Sequence, residues 1–145
     1  MALKILLPAL TIVTAWLAGL STFYTDWTWY ESLNKATFNP PNYLFGIVWP
    51  ILYTMMGVVS YLNAKQIYKL FVLQLVLNSS WSWIFFAHQA PDLAFINIAA
   101  LTVVNVLIIK KLWLERSFFS YISYVPYLLW LLFASYLNIS ISVLN

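Results

Sequence analysis

The sequence predicts an all-α integral membrane protein, a bundle of five transmembrane helices with a long first loop. Of its 145 residues, 63% are hydrophobic and only 8% are charged, and the mean hydropathy is +0.84. This composition lies far outside the range of soluble domains. No polar block is long enough to fold separately, so we predict one domain over residues 1–145.

Charged residues separate five uncharged segments, at residues 5–25, 36–64, 70–87, 93–109 and 117–145. About 20 apolar residues span a bilayer as a helix. The segments therefore predict transmembrane helices at 4–24, 43–64, 68–88, 92–113 and 118–139. The first segment is longer than the apolar core of a signal peptide, which favours a retained helix. Within it, Ala15 and Gly19 form a small-xxx-small pair, which predicts a close contact between two helices.

The connection between the first two predicted spans, residues 24–42, is the only long loop. It contains three charged residues and ends in Pro40 and Pro41, which cannot continue a helix without losing backbone donors. We expect one short interfacial helix within this loop.

The basic residues are distributed unequally between the two ends of the predicted bundle. Only Lys35 lies on the side of the first loop. The positive-inside rule therefore predicts a cytoplasmic N-terminus, with the first loop and the C-terminus outside. The cations of the opposite end are Lys4, Lys65, Lys69, Lys110, Lys111 and Arg116.

Composition also excludes two classes of function. The net charge of +3 is small and the basic residues form no stripe, so the sequence indicates no nucleic-acid partner. Cysteine is absent, which excludes a disulfide framework and a thiolate metal site.

Aromatic and polar residues recur at helical spacing in three of the predicted spans. Such faces can simply fill helix interfaces, but their repetition on three spans favours a pocket. The residues are Gly46, Trp49, Pro50 and Tyr53 in the second span, Asn78, Trp81, Ser82 and Phe85 in the third, and Tyr127, Trp130 and Ala134 in the fifth.

Three asparagines lie inside predicted spans. An amide near the middle of a span is expected to face the bundle interior, where it can find a partner. This applies to Asn78 and also to Asn97 and Asn105. Each can be interhelical glue, whereas the aromatic neighbours of Asn78 favour a contribution to a pocket.

Residues suited to catalysis or metal binding are few. The four acidic residues lie near predicted helix ends, and the single histidine, His88, ends the third span. His88 could ligate haem iron, but a solvated residue at a helix end is the stronger interpretation. We predict no metal site, and the pattern identifies no catalytic residue.

Four ordered groups of residues form a recognisable pattern. They are Trp29, Tyr30, Leu33, Lys35, Pro40 and Pro41; Val48 to Tyr53; Asn78 to Phe86; and Pro126 to Asn138. With these groups the chain resembles the TspO/MBR proteins, which are the tryptophan-rich sensory proteins of bacteria and the translocator protein of mitochondria. Ala36 and Phe38 depart from the family pattern, which has proline and tryptophan there.

The resemblance implies a five-helix bundle, often a homodimer, with a pocket beneath the first loop. The implied ligands are porphyrin or haem, with isoquinoline or benzodiazepine-type drugs as further ligands, and no cofactor is required. No Lys or Arg follows Tyr136, unlike in the animal proteins, so we expect a bacterial-type protein in a cell membrane, in contact with membrane lipids. The pocket residues carried over are Tyr30, Trp49, Asn78, Trp81, Ser82, Trp130 and Ala134.

Three functions are compatible with these expectations. The leading prediction is a tetrapyrrole-binding membrane sensor or carrier, with the first loop opening and closing over the pocket. An enzymatic alternative is light-dependent oxidative degradation of protoporphyrin, in which Trp49 and Trp130 would react. The third is a lipid or sterol-binding scaffold that acts through helix packing.

Overall fold

The computed structural model describes all 145 residues and contains no β-strand. Five of its helices are long and apolar enough to cross a membrane, which confirms the predicted fold class. A 3₁₀ turn, Ser21–Tyr24, extends the first helix, and a π-helical turn, Trp83–Ala87, extends the fourth. The helices are α1 (Ala2–Leu20), α2 (Trp27–Ser32), α3 (Asn42–Leu62), α4 (Ala64–Ser82), α5 (Pro91–Leu114) and α6 (Phe118–Leu144).

When the 3₁₀ and π-helical turns are counted with α1 and α4, the predicted spans agree with the long helices, and the largest difference is at the end of α6. We predicted that this span ends at residue 139, whereas the helix continues to Leu144. The extra turn contains Ser140 and Ser142. Hydropathy predicts the part of a helix that lies in the bilayer, and backbone hydrogen bonding continues beyond it.

The long helices close into a ring. Extensive contacts run from α3 to α1, from α1 to α4, then to α5 and α6, and α6 contacts α3 again. The interior contains fully buried apolar side chains such as Met56, Phe71, Ile98, Ile108 and Leu131. Since lipid tails are as apolar as these side chains, close packing and polar contacts between helices must stabilise the ring.

Asn105 supplies one such polar contact. Its side chain is fully buried, and its Oδ1 accepts a hydrogen bond of 2.8 Å from the Tyr124 hydroxyl. This confirms the inward orientation expected for a mid-span amide. Asn97 is only partly buried, although its Oδ1 is covered and lacks a protein donor.

The predicted short helix in the first loop is α2. Asp26 begins it, since its carboxylate accepts hydrogen bonds from the backbone N–H groups of Thr28 and Trp29, at 2.9 and 3.3 Å. Lys35 closes its other end by donating from Nζ to the Tyr30 carbonyl at 2.5 Å. Both ends of this six-residue helix are thus capped by charged side chains of the loop.

Candidate ligand-binding site

A cavity of about 470 Å³ lies at the end of the bundle that carries the first loop. Its wall is formed by α1, α3, α4 with the π-helical turn, and α6, and it includes Tyr30 of α2 and Asn39 of the loop. The volume is typical of small-molecule sites. No lining side chain carries a charge, so the cavity suits a largely apolar ligand.

Five of the seven predicted pocket residues lie on this wall. They belong to four separate helices, which the fold brings together at one end of the bundle. Asn78 and Trp130 do not line the cavity, although each contacts a residue that does. The five lining residues are Tyr30, Trp49, Trp81, Ser82 and Ala134.

Tryptophan rings form the centre of the site. The ring of Trp49 lies 6.4 Å from that of Trp81 and 6.5 Å from that of Trp130, with the second pair nearly perpendicular at 88°. Trp81 in turn stacks on Phe85, at 5.6 Å and 27°. Offset and edge-to-face pairs of this kind favour one another and present broad apolar faces.

Asn78 links the cavity wall to the buried interior. Its Oδ1 accepts a hydrogen bond of 2.5 Å from the hydroxyl of Tyr53, which lines the cavity. Its Nδ2 donates to the Tyr127 hydroxyl at 2.9 Å, and Tyr127 donates to Gln74 at 3.0 Å. The amide is therefore satisfied by protein partners, and Asn78 positions Tyr53 without reaching the wall itself.

Trp130 supports the wall from behind. Its ring packs edge-to-face on Phe45 at 5.8 Å, and Phe45 lines the cavity. Its indole Nε1 is buried and has no hydrogen-bond acceptor in the protein. Trp130 thus contacts two wall residues, Phe45 and Trp49, without lining the cavity itself, a difference that sequence spacing could not reveal.

The π-helical turn brings Phe85 and Phe86 to the cavity. Next to this turn in sequence, the Trp81 indole N–H donates to Asn138 Oδ1 at 3.0 Å, and the Asn138 side-chain amide donates to the Pro91 carbonyl at 2.8 Å. Asn138 therefore joins α4, α5 and α6 at the depth of the cavity. Its place in the last motif could have identified it as a site residue.

The contribution of α1 was not predicted. Ala15, Ala18 and Gly19 of α1 line the cavity, as does Thr22 of the 3₁₀ turn that extends it. The small-xxx-small pair was interpreted as a contact between helices, and α1 does contact α3 and α4 extensively. Its small side chains have a second consequence, because they leave room for the cavity.

The first loop covers the cavity as a lid. The Tyr30 ring lies 5.7 Å from Phe86 and 6.4 Å from Phe85, so α2 rests on the π-helical turn. Burial raises the pKa of the Tyr30 phenol above its ordinary value, while the Asn39 side chain acts in the opposite direction. The phenol is consequently neutral at physiological pH.

A polar clasp joins the loop to the end of α6. The Asn145 side chain accepts from the Asn34 backbone N–H at 2.9 Å and donates to the Asn34 carbonyl at 3.1 Å. The side-chain amide of Asn34 also donates, from Nδ2, to the Leu144 carbonyl at 3.3 Å. These bonds lie on the exposed surface, where each contributes little to stability, so the clasp can open at small cost.

His88 lies away from this site. The side chain is exposed and does not line the cavity, which supports its interpretation as a solvated end residue. No group of three or more histidine, cysteine or acidic side chains is arranged to hold a metal ion. The cavity has the form of a binding site.

Comparison with known proteins identifies the family. The sequence profile of the TspO/MBR family matches residues 5–144. The chain belongs to this family. Membership supports a role as a membrane sensor or carrier.

Relatives in the TspO/MBR family come from all three domains of life. A tryptophan-rich protein TspO of Archaeoglobus fulgidus is 35% identical, covering 99% of this chain and 97% of its own length. The human translocator protein is 34% identical over 48% of this chain and 47% of its own. The tryptophan-rich sensory protein of Cereibacter sphaeroides is 32% identical over 52% of each chain.

Ala36 and Phe38, the two departures from the TspO/MBR pattern, lie in the lid. The Ala36 carbonyl accepts a hydrogen bond of 3.0 Å from the backbone N–H of Asn39, which closes a turn. The Phe38 side chain is 77% exposed and does not line the cavity. Neither departure therefore alters the cavity wall directly.

Proposed function

We propose that this TspO/MBR protein is a membrane sensor or carrier that binds tetrapyrroles in the cavity beneath its first loop. The observation that carries the proposal is the uncharged cavity walled by Trp49, Trp81 and Phe85. A tetrapyrrole is a broad π-system, and aromatic side chains favour stacked and edge-on contacts with such a ring.

The polar groups of the site suit the edge of such a ligand. Asn39 lies in the loop and Asn42 is the first residue of α3, so both lie at the end of the bundle that faces the aqueous phase. The ring would lie among the aromatic side chains, with its carboxylates directed towards these amides and the water beyond. Of the residue types that ligate haem iron, only tyrosine lines the cavity, at Tyr30 and Tyr53, and histidine, cysteine and methionine are absent from the wall.

The lid provides a way to admit and release the ligand. It is attached by aromatic contacts of α2 and by the exposed clasp between Asn34 and Asn145. Segments held by few buried contacts open locally at low free-energy cost. A sensor or a carrier needs such a segment, because the ligand must enter and leave.

The binding proposal is tested by filling the cavity. Protoporphyrin added to the purified protein in detergent is expected to show saturable binding, measured by its absorbance. Ala15→Phe should weaken binding by about tenfold or more, because a ring would then occupy cavity volume. Ala9→Phe on the exposed face of the same helix is the control and should bind as the wild type does. Equal affinity of the two variants would contradict the proposed site.

A second candidate function is light-dependent oxidation of protoporphyrin by dioxygen. The observation that favours it is the contact between Trp49 and Trp130, whose ring centroids are 6.5 Å apart at the cavity. Indole rings are readily oxidised, and one of them lies on the wall itself. The ligand would be consumed by this function, whereas a sensor or carrier would release it unchanged.

The same cavity would accept smaller aromatic ligands, including isoquinoline and benzodiazepine-type drugs.

We also propose a homodimer in a bacterial cell membrane, because the long helices expose many large apolar side chains to lipid or to a second copy. A scaffold that binds lipid or sterol remains the third proposal. It predicts that filling the cavity leaves function unchanged.

The orientation proposed for the protein has a cytoplasmic N-terminus and an external first loop. The alternating spans bring six of the seven basic residues to the end opposite the loop. A cysteine introduced at Ser32 in α2 should react with an impermeant maleimide in intact cells, because Ser32 is exposed. A cysteine at Glu115, between α5 and α6, should react only after the membrane is opened. The reverse pattern would overturn the orientation.

A further inference from the structure

Glycine is rare in this chain, and its positions are informative. The sequence contains three glycines, of which Gly19 in α1 and Gly46 in α3 line the cavity. The third, Gly57 in α3, does not line it. All three lie inside helices, where glycine is a weaker helix former than alanine.

The packing around these glycines does not require them. A Cβ atom added at Gly19, Gly46 or Gly57 would meet no atom within 4 Å, apart from the neighbouring residues and the backbone of the same helix. None of the three has a positive φ angle that would favour glycine. Neither close helix approach nor backbone conformation therefore accounts for glycine at Gly19 and Gly46.

The cavity supplies a different reason. A side chain at Gly19 or Gly46 would project from the wall into open space, on the two neighbouring helices α1 and α3. Ala15 and Ala18 continue this low wall along α1. The aromatic side chains of the site belong to α2, to other positions of α3, and to α4 with its π-helical turn. The cavity thus has one part of its wall, along α1 and at Gly46, where side chains are small or absent.

We propose that Gly19 and Gly46 determine specificity by keeping the cavity wide enough for a broad, flat polycyclic ligand. The link to tetrapyrroles rests on the proposed function, whereas the width of the cavity does not. A larger side chain at either position should exclude broad ligands and still admit narrow ones.

The first experiment measures width without any assumption about the natural ligand. The chain has no cysteine, and Ala134 lines the cavity, so Ala134→Cys introduces a single thiol there. Its rate of reaction would be compared for methyl methanethiosulfonate, a narrow reagent, and for a pyrene maleimide, a broad one. Adding Gly46→Leu or Gly19→Leu should slow the broad reagent by about tenfold or more and the narrow reagent by less than about twofold. Gly57→Leu is the matched control and should change neither rate.

The outcomes separate the width proposal from the binding proposal. Equal slowing of both reagents, or the same rates in the Gly46 and Gly57 variants, would overturn the role of the glycines. Selective slowing of the broad reagent supports it even if wild-type protein fails to bind protoporphyrin, in which case only the proposed ligand is rejected. If protoporphyrin does bind, its affinity should fall in Gly46→Leu and remain at the wild-type value in Gly57→Leu.

A measurement of thermal stability tests whether helix packing, and not the width of the cavity, requires these glycines. Gly→Ala at each of the three positions should raise the melting temperature, by roughly 2 to 4 °C, because each Cβ has open space and alanine favours the helix. A fall at Gly19 or Gly46 alone would show that packing requires these glycines and would contradict the proposal.

Discussion

Asn78→Leu is expected to lower both the stability of the bundle and the affinity for the ligand. Leucine can fill a similar volume, but it leaves the Tyr53 and Tyr127 hydroxyls without the amide that joins them. A buried polar group that loses its partner costs about 1–3 kcal/mol. The affinity should fall several-fold, because Tyr53 lines the cavity and would no longer be held in one orientation. Thermal unfolding in detergent and a protoporphyrin titration would measure the two effects.

Asn105→Leu is the matched control for this prediction. Asn105 is equally buried and also bonds to a tyrosine, Tyr124, but neither residue lines the cavity. The two variants should lose similar stability, and only Asn78→Leu should lose affinity. If both bind protoporphyrin as the wild type does, Asn78 is interhelical glue and has no role in the site.

The second large effect concerns Trp49 and Trp130 together. Replacing Trp49 by phenylalanine keeps an aromatic face on the cavity wall, so binding should fall by only about 0.5–1.5 kcal/mol, and replacing Trp130, which does not line the cavity, should reduce it less. Phenylalanine is much harder to oxidise than tryptophan. Any light-dependent conversion of protoporphyrin should therefore be abolished while binding persists. Both quantities can be followed by absorbance on one preparation, with illuminated free porphyrin and a sample without dioxygen as blanks.

Two exposed tryptophans provide the control for this double variant. Trp16 and Trp113 do not line the cavity, and their side chains are 65% and 58% exposed. Replacing both by phenylalanine should change neither binding nor conversion. Conversion at the wild-type rate in the variant of Trp49 and Trp130 would exclude these two residues from the photochemistry. Parallel loss of binding and conversion would assign them a packing role only.

The spans, the lid helix and much of the wall follow from sequence because their causes are local. Uncharged runs of bilayer length must form helices, since backbone groups in lipid can bond only within the segment. Pro40 and Pro41 end the first loop, and Asp26 caps α2, through their own chemistry. Helical spacing then identified one face of α3 and one of α4, which includes Trp49 and Trp81 on the cavity wall.

The partners of Asn78 could not be predicted in the same way. Helical period indicates which side of a helix a residue occupies, and the cost of a bare amide in lipid indicates that this side faces inward. Neither rule states what lies opposite. Tyr53 and Tyr127 are 25 and 49 residues away in sequence. Their hydroxyls hydrogen-bond to the oxygen and the nitrogen of the Asn78 amide, in place of a ligand.

By itself the sequence determined that this is a five-span membrane protein of the TspO/MBR family with aromatic faces turned inward. Only the tertiary structure decided which side chains reach the cavity: it placed Trp130 against Phe45 and Trp49 but off the wall, and Gly19 on the wall. It also joined Asn34 to Asn145 across 111 residues. The physical reason is that hydrophobicity and helical period fix each helix and its inward face. The depth of a side chain depends on the distance and rotation between helices, which arise only when the whole ring has packed.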